Sequence, residues 1–201
     1  MPKQLLLATH NKHKAREFSL LLGDGEIQVV TLDEFPSIGV IEENEPDLAG
    51  NARLKATEVH RQTGIPALGD DTGLEVYYLN GAPGVYSSRY SGEGATYARN
   101  VAKLLDALRG VPQRRRAARF RCVLAFVAPG GPPRVVEGVC RGTIIEEPRG
   151  TFGFGYDPIF LPEGESQTFA EMSADLKGKI SHRGRAVAAM LPVLNEYFNR
   201  H

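Results

Sequence analysis

Ala67-Leu68-Gly69-Asp70-Asp71-Thr72-Gly73-Leu74 is the stretch on which the reading of this chain turns. An apolar run with the character of a buried strand meets two adjacent carboxylates, and Thr-Gly then reads as the turn that releases it. Carboxylates at the end of a strand, where backbone opens into a crevice, suit a hard cation and a water molecule better than they suit a core. A solvated acidic turn is the competing interpretation. Side chains alternate along a strand, so the two carboxylates point to opposite faces, and spacing alone does not choose between them.

Around this stretch the chain alternates. Lys3 to Thr9 reads as a buried strand, with a helix behind it carrying Ala15, Phe18, Leu21 and Leu22 on one face and ending at Gly23. A second strand is expected at 27–32, followed by an irregular acidic segment, Asp33 to Pro46, that contains Glu42, Glu43 and Glu45. Asp47 caps a helix bearing Leu48, Ala52, Ala56 and Val59, closed by Gly64. After the acidic pair come a strand at Leu74 to Leu79, an Asn80-Gly81 turn and a loop rich in Gly, Ser and Tyr. Then follow a helix from Thr96 to Leu108, strands at 119–128 and 135–145 joined by a Pro-Gly hairpin, and a short strand at Ile159 to Leu161. The last helix carries Val187, Met190, Leu191, Leu194 and Phe198, and Pro192 is expected to kink or split it. Early alternation with a late hairpin gives an α/β protein with a mixed sheet.

The 201 residues suffice for one sizeable core or two closely joined lobes. Lys plus Arg (24) equals Asp plus Glu (24), so no overall field draws the chain to DNA or to anionic membrane, and only a local basic patch would hold a small anion. Cys122 and Cys140 lack metal-ligand spacing and read as buried thiols of a reducing compartment. The apolar run Leu5 to Ala8 is too short for a signal peptide and no run approaches a membrane span; the expected location is cytoplasmic.

Three further segments carry chemistry. Thr9-His10-Asn11-Lys12-His13-Lys14 leads a strand into a helix through a cationic turn, which suits an anion although it lacks the P-loop glycines. Phe152-Gly153-Phe154-Gly155-Tyr156-Asp157-Pro158 alternates glycines with rings, so that backbone approaches a flat ligand while aromatic faces stack on it. Lys177-Gly178-Lys179-Ile180-Ser181-His182-Arg183 places basic donors at the start of the last helix, against its dipole, which makes sense where an anion or an electron-rich base edge is held. Asn51 and Lys55 fall on one helical face, either toward a ligand or as a surface row. The arginines at 114–116, 119 and 121 read as a solvated face and carry no claim of nucleic-acid binding.

In this order the blocks resemble the RdgB-type inosine/xanthosine triphosphate pyrophosphatases. The resemblance rests on Ala8-Thr9-His10-Asn11 with Lys14, on Asn51-Ala52-Arg53-Leu54-Lys55-Ala56, and on Asp70-Asp71-Thr72-Gly73-Leu74. It continues through Gly81 to Tyr90, Phe152 to Phe160 and Ser181-His182-Arg183-Gly184, and covers nearly the whole chain.

The resemblance implies one domain over 1–201, two-lobed, with a mixed sheet flanked by helices and a central substrate cleft. It implies Mg²⁺-dependent cleavage of ITP, dITP or XTP into monophosphate and pyrophosphate by a homodimer. Thr9, His10, Asn11, Lys12, His13 and Lys14 would hold the triphosphate. Asp71 would be base and metal ligand, with Glu42 or Glu43 completing the metal site, and Lys55 would sit near the reacting bond. Thr72 would contact substrate. Phe154, Gly155, Tyr156 and Asp157 would line the nucleoside pocket, and Lys177, His182 and Arg183 would close over the base. One departure stands out: the family has Glu before the Asn-Ala pair where this chain has Gly50, which leaves the upstream acid open, Glu45 included. A related pyrophosphatase acting on modified pyrimidine or methylated nucleotides, and a nucleotide sensor without turnover, are the alternatives.

Overall fold

The computed structural model describes residues 3–23 and 26–200. Among the described residues the strands are β1 (Lys3–Leu7), β2 (Ile27–Thr31), β3 (Ala67–Val76), β4 (Pro83–Gly84), β5 (Ala117–Val127), β6 (Arg134–Ile144) and β7 (Phe160–Pro162). The α-helices among them are α1 (Lys12–Leu22), α2 (Leu48–Thr63), α3 (Tyr97–Ala107), α4 (Ala174–Ile180) and α5 (His182–Arg200). The sheet runs in the order β2-β1-β3-β5-β6-β7, with β4 paired to β3. It is mixed: β1 lies parallel to β2 and β3, whereas the β3–β4 and β6–β7 pairs are antiparallel. No helix among the described residues is long and apolar enough to cross a membrane.

The chain divides into two compact units, the first being Met1–Asp71, Cys122–Gly138 and Arg183–His201, the second Thr72–Arg121 and Val139–His182. In the first, the leucines of β1 are buried on both faces, as those of a central parallel strand should be. Leu5 and Leu7 pack with Phe18, Met190 and Leu194; Leu6 and Ala8 pack with Val30, Val59 and Ala67. In the second, Leu104 and Leu108 close a core with Phe120, Phe160 and Phe169.

Local signals account for several helix ends. Asn11 accepts from His13 N–H and Lys14 N–H, Asp47 from Gly50 N–H, and Thr96 from Arg99 N–H; Gly64 closes α2 in the left-handed conformation. Three expectations need correction. The acidic pair does not end its strand: β3 continues through Asp70-Asp71-Thr72-Gly73 to Val76, and Tyr77–Leu79 is a 3-10 turn rather than strand. Helix α4, capped by Ser173, has no counterpart in the sequence reading. Helix α5 runs through Pro192 without splitting, because Val187, Met190, Leu194 and Phe198 are buried on both sides of it. Gly69 shows why β3 can bring its carboxylates to α2: a Cβ there would lie 2.1 Å from the Ala52 carbonyl oxygen.

Candidate active site

Within the first unit, β3 presents Asp70 and Asp71 to opposite surroundings, as strand alternation requires. Asp70 is 2% exposed. One of its oxygens pairs with Lys14 Nζ; the other faces Arg183 Nε at 3.3 Å and Nη2 at 3.4 Å and accepts from Cys122 Sγ at 3.1 Å. Arg183, itself 1% exposed, gives Nη1 to Glu17 at 2.5 Å and lies over the Phe18 ring. Burial alone would raise the Asp70 carboxyl, but Lys14 and Arg183 outweigh it and hold it far below the usual range. Burial likewise works to lower Lys14, and Asp70 reverses this, so the ammonium is held charged.

Asp71 has a different setting. Asn51 Nδ2 donates to one oxygen at 3.1 Å, and Lys55 Nζ stands 3.5 Å from the other. The same ammonium donates to Glu43 at 2.5 Å. Burial raises the Asp71 carboxyl; Lys55 opposes that, and Glu43 adds to it, with a net upward shift. Two carboxylates thus meet at one lysine, a concentration of negative charge that a cation would relieve.

This donor set fits a hard divalent ion of the Mg²⁺ type, which takes one or two carboxylates and completes its octahedron with water and phosphate oxygens. Among the described residues no cluster of three or more His, Cys, Asp or Glu gathers to hold a metal by protein groups alone. Glu43 is the upstream acid brought to Lys55, while Glu42 and Glu45 are exposed.

The turn before α1 is held by its own side chains. Thr9 Oγ1 accepts from Asn11 N–H at 3.1 Å, Asn11 caps the helix, and Lys12 and His13 stand exposed. His10 is exposed, with Nε2 3.3 Å from the Gly39 carbonyl oxygen.

Within the second unit, Asp157 is 3% exposed and one of its oxygens accepts from Phe154 N–H at 2.9 Å and from Lys177 Nζ at 2.6 Å. The Lys177 ammonium also lies 5.2 Å from the centre of the Phe154 ring, which packs against Tyr97 as well. Tyr156 donates to the Ser87 carbonyl, and burial pushes its phenol up. His182 stacks on Phe120 at 4.5 Å. Gly155 and the half-buried Thr72 belong to this unit too.

The structure therefore gathers Asp71, Lys55 and Glu43 in one group, Lys14 and Arg183 around Asp70 in another, and Phe154, Asp157 and Lys177 in a third. His182 and Arg183, neighbours in sequence, fall in different units. Arg183 directs its nitrogens at Asp70 and Glu17. Sequence reasoning misses Glu17 and the tasks of Asp70 and Asn51; alternation at Asp70-Asp71 is the one local signal that two settings exist.

Comparison with known proteins bears on this arrangement. The model of the Ham1 family matches residues 5–193. A dITP/XTP pyrophosphatase from Desulforamulus reducens is 47% identical over 195 residues, 97% of each chain. A HAM1 protein from Coxiella burnetii superposes with a TM-score of 0.86 at 43% identity, covering 96% of this chain and 98% of its own. A nucleoside-triphosphatase, dITP/XTP pyrophosphatase from Mycobacterium abscessus gives a TM-score of 0.75 at 42% identity, with 94% and 99% covered.

Proposed function

The chain belongs to the Ham1 family, and from that premise we propose that it is a nucleoside triphosphate pyrophosphatase hydrolysing dITP, ITP and XTP to monophosphate and pyrophosphate. The observation that carries the reading is Lys55 held between Asp71 and Glu43, an ammonium with two carboxylates in a buried setting. Phosphoryl transfer needs little covalent help and much electrostatic stabilisation, and this group offers both signs of charge at one place.

Asp71 orients the attacking water and accepts its proton; its raised carboxyl suits a base better than a fully stabilised carboxylate such as Asp70 would. Lys55 stabilises charge on the phosphate oxygens as the anhydride breaks. Lys14, kept charged by Asp70, and the Asn11-capped turn with Thr9, His10, Lys12 and His13 hold the polyphosphate. Asp71 and Glu43 would hold Mg²⁺, which when bound supplies neutralisation of phosphate charge and a more acidic water. Glu42 and Glu45, both exposed, stand outside this pair.

On the second unit, Phe154, Gly155, Tyr156 and Asp157 form the base-recognition loop with Thr72, Lys177 and His182. Hypoxanthine and xanthine carry a 6-oxo acceptor where adenine has an amino donor. A donor facing that oxygen pairs with the first two and is left unpaired by the third, a mismatch worth up to about 10⁴-fold. We place the activity in the cytoplasm and in a homodimer. The second unit's exposed Tyr77, Tyr78 and Tyr86, with Arg119, Arg115 and Arg89 over their rings, have the composition of an interface.

The test is pyrophosphate release from dITP, ITP, XTP, dATP, dGTP, dUTP and a methylated nucleotide, with Mg²⁺ and with chelator. Release from the first three alone, lost with chelator, is expected. Preference for dUTP or the methylated nucleotide supports the related-pyrophosphatase reading; tight dITP binding with no product supports a sensor.

A further inference from the structure

Asn51 is fully buried in the first turn of α2, where Asn is a poorer helix former than Ala, and Gly50 before it is poorer still. Two weak helix formers in succession point to a task that outweighs local preference. The task is visible in what the side chain touches. Its Oδ1 accepts from Glu45 N–H at 3.0 Å, and its Nδ2 donates to Asp71 at 3.1 Å. A backbone N–H is only a donor and an ionised carboxylate only an acceptor, so the amide has one orientation that satisfies both.

Gly50 explains how the acidic segment reaches this amide. A Cβ at position 50 would lie 2.7 Å from the Glu45 Cβ, closer than real Cβ atoms come. The missing side chain is the space into which residue 45 folds. Glu43, two residues earlier, reaches Lys55, and Lys55 reaches the other oxygen of Asp71. The contacts close a ring: Asp71 to Asn51, Asn51 to Glu45, along the backbone to Glu43, Glu43 to Lys55, and Lys55 back to Asp71.

We propose that Asn51 is a positioning residue for the Asp71 carboxylate, fixing its rotation and tying it to the acidic segment that folds over Gly50. This rests on the proposed role of Asp71 as base. The terminal torsion of an aspartate is broad, and partners on both oxygens narrow it: Lys55 Nζ stands 3.5 Å from one and the Asn51 amide donates to the other. Misplacement of a reacting group by about 1 Å costs on the order of 10²-fold in rate.

The test compares wild type with Asn51→Leu, which keeps the volume, and Asn51→Ala, which suits the helix and keeps the test alive if Leu does not fold. Gly50→Ala displaces the segment while leaving Asn51 and Asp71 intact. Turnover of dITP, KM and binding of dITP without metal are measured, with thermal unfolding as the fold control. All three variants are expected to lose about 10²-fold in kcat with KM and metal-free binding within about threefold. Unchanged kcat, or loss of binding in proportion to kcat, overturns the proposal. Asp71→Asn separates the two levels: if it is inactive while the Asn51 variants are active, only this inference falls, whereas an active Asp71→Asn removes the base assignment and the inference with it.

Discussion

Two adjacent aspartates should respond in opposite ways to the same substitution. Around Asp70, Lys14 and Arg183 stand against Asp70 and Glu17. Asp70→Asn removes the carboxylate that stands between two buried cations. Breaking a buried pair by removing one partner costs about 3–5 kcal/mol. The low end applies here, because the Lys14 side chain is 15% exposed and has some access to water. At roughly 2–4 °C per kcal/mol for a chain of this size, a loss of about 3 kcal/mol lowers Tm by about 6–12 °C. Asp71 is different: burial and the Glu43 carboxylate that shares Lys55 both disfavour its charge, so Asp71→Asn should leave Tm equal or higher while abolishing turnover. Urea and thermal unfolding of the two variants without metal, beside turnover of dITP, measures both effects. Equal destabilisation by the two substitutions, or an Asp70→Asn protein as stable as wild type, would refute the charge argument.

The stability gap between wild type and Asp70→Asn should depend on pH with a definite sign. The folded Asp70 carboxyl lies below its unfolded value of about 3.9, so its contribution is complete above about pH 4 and fades as pH falls further toward the folded value; urea midpoints from about pH 7 to pH 3 check this. Lys55→Met should lower kcat by about 10²–10³-fold in steady-state assays, since it removes the charge nearest the proposed reacting bond. Lys177→Met should raise KM for dITP more than it lowers kcat, because it removes the ammonium that Asp157 and the Phe154 ring share; an equal fall in kcat with KM unchanged would move Lys177 to the reacting end.

Much of the fold is legible locally. The caps at Asn11, Asp47 and Thr96 and the glycine at 64 locate three helices because each signal lies within a few residues of the end it sets. The sequence reading cuts β3 short because Asp-Asp-Thr-Gly has turn chemistry; the strand persists because cations arrive from elsewhere to meet each carboxylate. Arg183 is 113 residues from Asp70, beyond any local signal. Helix α4 escapes notice because Gly178, a weak helix former, lies within it and seven residues leave little periodicity. The site is legible as residue types and blocks. Which carboxylate balances Lys14 and which shares Lys55, and that Asn51 ties Asp71 to residue 45, emerge only from the fold.

The most direct test of the central claim is hydrolysis of dITP with Mg²⁺ in ¹⁸O-enriched water, followed by ³¹P NMR and mass spectrometry of the products. The account predicts dIMP and pyrophosphate as the products, in equal amounts and abolished in Asp71→Asn. Orthophosphate with dIDP, or unaltered product formation by Asp71→Asn, would contradict it.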